Sequence, residues 1–172
     1  PELERVIRMD MVILAAYWGI LRALGVYNLF LFFGSRAWSF LHYVLSTLAY
    51  GFGLIIVLGY GASQLWPETP QYNNAAPIIA MSLAGIFGTL FAGSFFSTKR
   101  RFPKLHRWLI GVALVQTVSI CISPFSPETS GALFTLMGNT LFVLLLIILW
   151  RSVRDRWPGT LPYAVALALQ VL

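Results

Sequence analysis

The sequence predicts an all-α protein, a polytopic bundle of transmembrane helices. One observation is composition, since 58% of the residues are hydrophobic and only 10% are charged. A soluble domain carries about 25% charged residues, and one this apolar would expose large hydrophobic patches to water. The second observation is that apolar runs of about 20 residues, the length a helix needs to cross a bilayer, alternate with short polar gaps. These runs are continuously apolar, whereas the strands of a membrane barrel alternate.

The first apolar run covers about 11–33 and is interrupted only by Arg22. It is too long for the hydrophobic region of a signal peptide and lacks a clear cleavage site, so we interpret it as a span. The preceding residues 1–10 are mixed in charge, which predicts an extracytoplasmic juxtamembrane stub. The second run, at about 40–62, leads into a loop rich in turn-forming residues.

Four more runs complete the predicted transmembrane domain, which covers 11–172. The predicted spans after the second are 77–96, 108–122, 132–150 and an incomplete 160–172. The third opens with Pro77, which suits the first turn of a helix. The last run is still apolar at Leu172 but is too short to cross a bilayer upright. We therefore expect about six spans, in a fragment that ends inside the last of them.

Positive charges fall in alternate gaps between these runs. The gaps at 63–76 and 123–131 hold no Lys or Arg. Because cytoplasmic loops carry an excess of Lys and Arg, we predict that the gaps at 34–39, 98–107 and 151–158 are cytoplasmic and that the N-terminus is outside. Nine of the twelve basic residues set this topology: Arg36, Lys99, Arg100, Arg101, Lys104, Arg107, Arg151, Arg154 and Arg156.

The remaining composition favours a membrane module without catalytic chemistry. The net charge of +6 is interpreted as an attraction to lipid headgroups, not to nucleic acid. The single Cys121 excludes a disulfide framework, and we expect it in the core. His42 and His106 lack the spacing of metal ligands. No catalytic motif is present in the sequence, so we expect no enzyme activity, no cofactor and no metal site.

Small residues recur four apart in two of the predicted spans, a spacing that lets neighbouring helices approach closely. We expect them to pack within the bundle, and a homodimer contact is the alternative. The stripes are Ala80, Ala84, Gly88 and Ala92, with Gly85, Thr89 and Gly93 beside them, and Ala15, Gly19 and Ala23 on the first span.

Arg22 is the one charged residue in the middle of a predicted span. An Arg at this depth costs about 2.5–3.5 kcal/mol on insertion scales. No acid lies in any predicted span, so the candidate partners are backbone carbonyls, span hydroxyls, an acid outside this sequence, or the amides of Asn28, Gln116 and Asn139. One interpretation is an anion-binding or switching charge, and the other is a side chain that snorkels along the helix.

The longest predicted outside loop contains Tyr72, Asn73 and Asn74. Aromatic and amide groups there are candidates for contact with a ligand or an extracytoplasmic domain. The alternative is a capped turn that leads into Pro77.

Several short motifs, in their order along the chain, suggest a family. They are the Tyr27–Phe32 run that closes the first span, Arg36, the opening of the second span at Phe40–Tyr43, the outside Leu65–Pro67 with Asn73 and Asn74, and the cytoplasmic Pro103–Arg107. From about residue 11 to 172, this order resembles the bacterial seven-transmembrane receptors with diverse intracellular signalling modules.

The resemblance implies a multi-pass sensory receptor in the bacterial inner membrane. It implies an extracytoplasmic sensory domain before the helices and an output domain after them, such as a histidine kinase or a diguanylate cyclase. A homodimer is implied by analogy only, and Arg22 is not part of the family pattern. The alternative function is that of part of a small-molecule membrane transporter.

Overall fold

The computed structural model describes residues 2–60, 66 and 72–155, and its helices confirm the all-α fold class. No strand occurs in these residues. The helices, in chain order, are α1 (Glu2–Ser35), α2 (Trp38–Val57), α3 (Tyr72–Phe95), α4 (Thr98–Arg101), α5 (Pro103–Ile122) and α6 (Pro127–Arg154). All except α4 contain a segment long and apolar enough to cross a membrane. The predicted sixth span at 160–172 lies outside the described residues.

The helices extend beyond the apolar runs. α1 is a continuous helix of 34 residues that includes residues 2–10, and α6 continues through basic residues to Arg154. α5 and α6 both begin with proline, at Pro103 and Pro127, because a missing N–H is harmless in the first turn. Hydropathy marks only the part of a helix that lies in lipid, so these helices are longer than the predicted spans, whose bounds stay a prediction.

Pro77 does not start its helix, which corrects one expectation from the sequence. α3 begins at Tyr72, and Pro77 lies inside it. Its nitrogen would otherwise bond to the carbonyl of Asn73, so only a bond close to the helix start is lost. The helix therefore starts before its proline instead of at it.

α3 is the centre of the bundle, because it packs against α2, α5 and α6, while α1 packs on α2. Successive long helices run antiparallel. The aromatic pair Phe32–Trp38, with ring centroids 5.7 Å apart, joins the end of α1 to the start of α2. At the same end, Nη2 of Arg101 lies 3.4 Å from Oδ2 of Asp155. We call this the basic end of the bundle.

Eight of the predicted topology residues gather at the basic end. They are Arg36 in the α1–α2 turn, Lys99, Arg100 and Arg101 on α4, Lys104 and Arg107 on α5, and Arg151 and Arg154 on α6. Arg156 lies outside the described residues. The clustering agrees with the charge pattern of the sequence, and the assignment of this end to the cytoplasm stays a prediction.

Small residues let α2 and α3 approach each other. Oγ of Ser46 donates to the carbonyl of Ala84 at 2.9 Å. A Cβ added at Gly53 would lie 3.0 Å from Cε of Met81. The predicted stripe on α3 is therefore used inside the bundle, as expected, with its alanines buried: Ala80, Ala84 and Ala92.

The corresponding stripe on α1 has a different outcome. A Cβ added at Gly19 would meet no atom within 4 Å, and Ala15 and Ala23 are exposed. The expected packing of this stripe within the bundle does not occur in the part of the chain that the structure describes. A homodimer contact there stays a prediction.

The best-packed apolar cluster lies in the half of the bundle nearer the basic end, between α3, α5 and α6. Its buried members are Phe96, Leu109, Val112, Leu144 and Ile148. The tryptophans of this end point outward instead, as in the aromatic belts of membrane proteins: Trp38, Trp108 and Trp150. Cys121 was expected in the core but is exposed on α5, because its helical position faces away from the side that packs on α3 and α6.

Candidate functional site

Arg22 lies on a lipid-accessible part of α1. Its side chain is exposed, and no hydrogen bond or ion pair with the described residues is formed. One turn earlier, Trp18 packs against α2, where a Cβ added at Gly51 would lie 3.0 Å from its ring. From Arg22 to the end of α1 at Ser35 is about 20 Å of helix. The charge is therefore well inside the expected membrane and is not covered by the described helices.

The structure does not bring the candidate amide partners to Arg22. Nδ2 of Asn28 donates to the carbonyl of Leu24 at 2.8 Å, within α1. Six residues separate Asn28 from Arg22, which places the two side chains about 120° apart around the helix. Asn139 is exposed on α6, and Gln116 is buried on α5, where α2 and α3 stand between it and α1.

Tyr72, Asn73 and Asn74 form the first turn of α3, at the end of the bundle opposite the basic end. Tyr72 and Asn74 are exposed. The sequence-predicted candidates therefore lie in two separate places, Arg22 and Asn28 on α1 and the other three at the start of α3.

A buried polar cluster, which we call the polar junction, lies where α3, α5 and α6 meet. Its members are Ser82 on α3, Gln116 and Ser119 on α5, and Ser130 on α6, all at most 1% exposed. Oγ of Ser119 donates to the carbonyl of Ser130 at 2.9 Å, and Oγ of Ser130 donates to the carbonyl of Ser119 at 2.7 Å. These reciprocal bonds join α5 to α6.

Gln116 fills a notch in α3. A Cβ added at Gly85 would lie 2.5 Å from Oε1 and 2.6 Å from Nε2 of Gln116, so the carboxamide would have to move out of this position. Within the described residues, Oε1 of Gln116 and Oγ of Ser82 are both buried without a hydrogen-bond partner. Ser82 precedes Gly85 by one turn on the same face of α3. A buried polar atom left unpaired costs about 1–3 kcal/mol, so the α3–α5 contact is incompletely satisfied.

The sequence named only one member of the polar junction, Gln116, as a possible partner of Arg22, and included the hydroxyls of the spans only as a class. The bonding of serines between two helices was not predicted, because a hydroxyl in an apolar span commonly bonds to its own helix. Thr117 does so, donating to the carbonyl of Ala113 at 2.9 Å. The small residues Gly85, Thr89 and Gly93 gave an indirect signal of this contact. They predicted that a helix approaches α3 closely, but not which helix.

Both histidines pair with hydroxyl groups near the basic end. Nδ1 of His42 lies 3.1 Å from Oγ of Ser94, joining α2 to α3. Nδ1 of His106 lies 3.0 Å from Oγ1 of Thr98, joining α5 to α4. Across the described ranges, no group of His, Cys, Asp and Glu side chains is arranged to hold a metal ion.

Five helices long and apolar enough to cross a bilayer define a multi-pass membrane protein, and the family match that follows suggests a sensor or receptor domain. The chain belongs to the family described as 7TM diverse intracellular signalling, whose model matches residues 10–171. This match confirms the resemblance of the short motifs. No curated protein and no solved structure matches the chain significantly.

Proposed function

We propose that this module senses an extracytoplasmic signal and transmits it to a cytoplasmic output domain in the bacterial inner membrane, without catalysing a reaction itself. The observation that carries the proposal is the family match over residues 10–171. The charge pattern supports the proposed direction of signalling, from outside to cytoplasm, because the basic end fits the cytoplasmic side. The exposed start of α3, at Tyr72 and Asn74, fits the side that receives the signal, with Asn73 in the same turn.

The transmission we propose is a shift of helices between two packings. The reciprocal Ser119–Ser130 bonds support movement of α5 with α6 as one unit. The bonds from Ser46 and His42 support movement of α2 with α3 as another. The contact between these units passes through Gly85 and contains unpaired polar atoms, which favours an alternative packing of similar free energy.

A cysteine lock across the α3–α5 contact tests this function. In the full-length protein with Cys121→Ala, the pair Gly85→Cys and Gln116→Cys is oxidised in membranes, and the activity of the native output domain is measured. We expect at least a several-fold change in output on oxidation and its reversal by dithiothreitol. The matched control is the pair Ser119→Cys and Ser130→Cys, which lies within one proposed unit and is expected to leave output unchanged.

Two results contradict the proposal. One is an output that is the same in the locked and reduced states. The other is a complete gene that encodes no cytoplasmic output domain, after which uptake assays in proteoliposomes address the transporter alternative.

A further inference from the structure

The turn between α1 and α2 holds an arginine in an unusual backbone conformation. Arg36 has φ of +52°, in the left-handed region. The residue after a helix C-terminus often adopts this conformation, but it is usually glycine or, less often, asparagine. The N–H of Arg36 donates to the carbonyl of Phe32 at 2.7 Å and closes the helix. A glycine would make the same turn without strain, so the turn alone does not require an arginine.

A cavity of about 290 Å³ opens beside this turn, lined by Phe32, Phe33, Arg36 and Trp38. The Phe32 ring lies 5.6 Å from the Phe33 ring and 5.7 Å from the Trp38 ring, centroid to centroid. Phe33 is 69% exposed and Trp38 64%, so the cavity is open on its aromatic side. Within the described part of the chain, no carboxylate forms an ion pair with the exposed Arg36.

We propose that this cavity binds one anionic phospholipid, with the phosphodiester on Arg36 and the glycerol and upper acyl chains against Phe33 and Trp38. An arginine offers paired N–H donors that match two phosphate oxygens. Exposed Trp at a helix end is typical of the headgroup level of a bilayer. The cavity thus has a cation that can bind phosphate beside an apolar wall. A phospholipid has its phosphate and the start of its acyl chains side by side at the same depth of the bilayer. The proposal is independent of the signalling function and requires only that the basic end lies at a membrane surface.

Because Arg36 has a left-handed backbone conformation, a glycine substitution can test the role of its side chain without harming the fold. Arg36→Gly removes the guanidinium and relieves the backbone, so the variant is expected to fold at least as well as the wild type. Arg107→Gln is the matched control, because Arg107 is also an exposed arginine next to an exposed tryptophan, Trp108, at the basic end. It lies in regular helix within α5.

The experiment is native mass spectrometry of the purified chain with phosphatidylglycerol or phosphatidylcholine of identical acyl chains. We expect the wild type to retain one phosphatidylglycerol in preference to phosphatidylcholine. In Arg36→Gly and Arg36→Gln we expect about a tenfold weaker affinity for phosphatidylglycerol, the order of one lost charge-assisted contact. Arg107→Gln is expected to bind it like the wild type.

Thermal unfolding provides the second readout. In phosphatidylcholine, Arg36→Gly should unfold at the wild-type temperature or above it, while the stabilisation of the wild type by added phosphatidylglycerol should be lost. The proposal is overturned if Arg36→Gly keeps the preference for phosphatidylglycerol, or if Arg107→Gln loses as much. It is also overturned if soluble glycerophosphate stabilises the wild type as strongly as the lipid, because the site would then bind a free phosphodiester.

Discussion

At the scale of single residues, the absence of a side chain at Gly85 leaves the space on α3 that the Gln116 carboxamide of α5 fills. The Gln116 carboxamide occupies the space that any other residue at position 85 would need. The same contact holds a buried, unpaired Oε1. A larger residue at position 85 would therefore displace the buried polar group between the two helices.

Gly85→Val is therefore expected to destabilise the bundle by about 1–3 kcal/mol, the usual cost of overpacking. The free energy of unfolding in mixed micelles measures this. Gly138→Val on α6 is the matched control, because a Cβ added at Gly138 would meet no atom within 4 Å. Removing the carboxamide with Gln116→Ala in the Gly85→Val background should recover part of the loss. Equal losses at Gly85 and Gly138 would show that the notch has no special role.

Arg22→Leu is expected to improve insertion of the first span while impairing signalling. Leucine contributes favourably at the centre of a span, whereas arginine costs about 2.5–3.5 kcal/mol. The measurements are the inserted fraction and the output of the full-length protein, with Arg22→Lys as the variant that keeps the charge. Wild-type output from Arg22→Leu would remove this residue from consideration as a switch.

The sequence could identify Arg22 and Gln116 as polar residues within spans, but not their surroundings. In a membrane protein, apolar residues occur on both the lipid-facing and the buried sides of a helix, so periodicity does not indicate which side faces a neighbour. Arg22 is exposed and Gln116 is buried. That difference depends on which helices surround each one, and single-sequence patterns do not contain this information.

At the scale of elements, α5 and α6 are joined by a pair of serines with reciprocal bonds. A double-mutant cycle with Ser119→Ala and Ser130→Ala should give a coupling free energy of about 0.6 kcal/mol, the average for hydrogen bonds between membrane helices. Thr117→Ala is the control, since Thr117 bonds only within α5. A coupling indistinguishable from zero would mean that the pair does not hold these helices together.

Helix boundaries show where hydropathy stops being informative. α6 continues through Arg151 to Arg154 because backbone hydrogen bonding does not require apolar side chains. The start of α3 at Tyr72 was missed because the polar residues before Pro77 were interpreted as loop. The spans themselves were predictable, since lipid imposes a minimum apolar length.

At the scale of the whole molecule, the fold class and the gathering of cations at one end could be predicted from the sequence. The order of contacts could not, because all spans are similarly apolar. The small residues of α3 did predict a closely approached helix, and α3 is the helix with three long neighbours.

Cysteine labelling tests the predicted orientation of the whole bundle. In a Cys121→Ala background, Tyr72→Cys and Lys104→Cys lie at opposite ends, and both positions are exposed. In intact spheroplasts, a membrane-impermeant maleimide should react with the first and not with the second, and permeabilised cells should allow both reactions. Labelling of Lys104→Cys in intact spheroplasts would show that the basic end lies outside, and it would contradict the proposed direction of signalling.

The length of α1 also has a mechanical consequence. Its 34 residues make a rod of about 50 Å, against a hydrocarbon layer of about 30 Å. Trp18 rests on α2 at Gly51 and can act as a fulcrum, with about 24 Å of rod between it and Glu2. A tilt of about 10° around that point would carry the tip sideways by about 4 Å, and we expect such a tilt to press the Trp18 ring against α2.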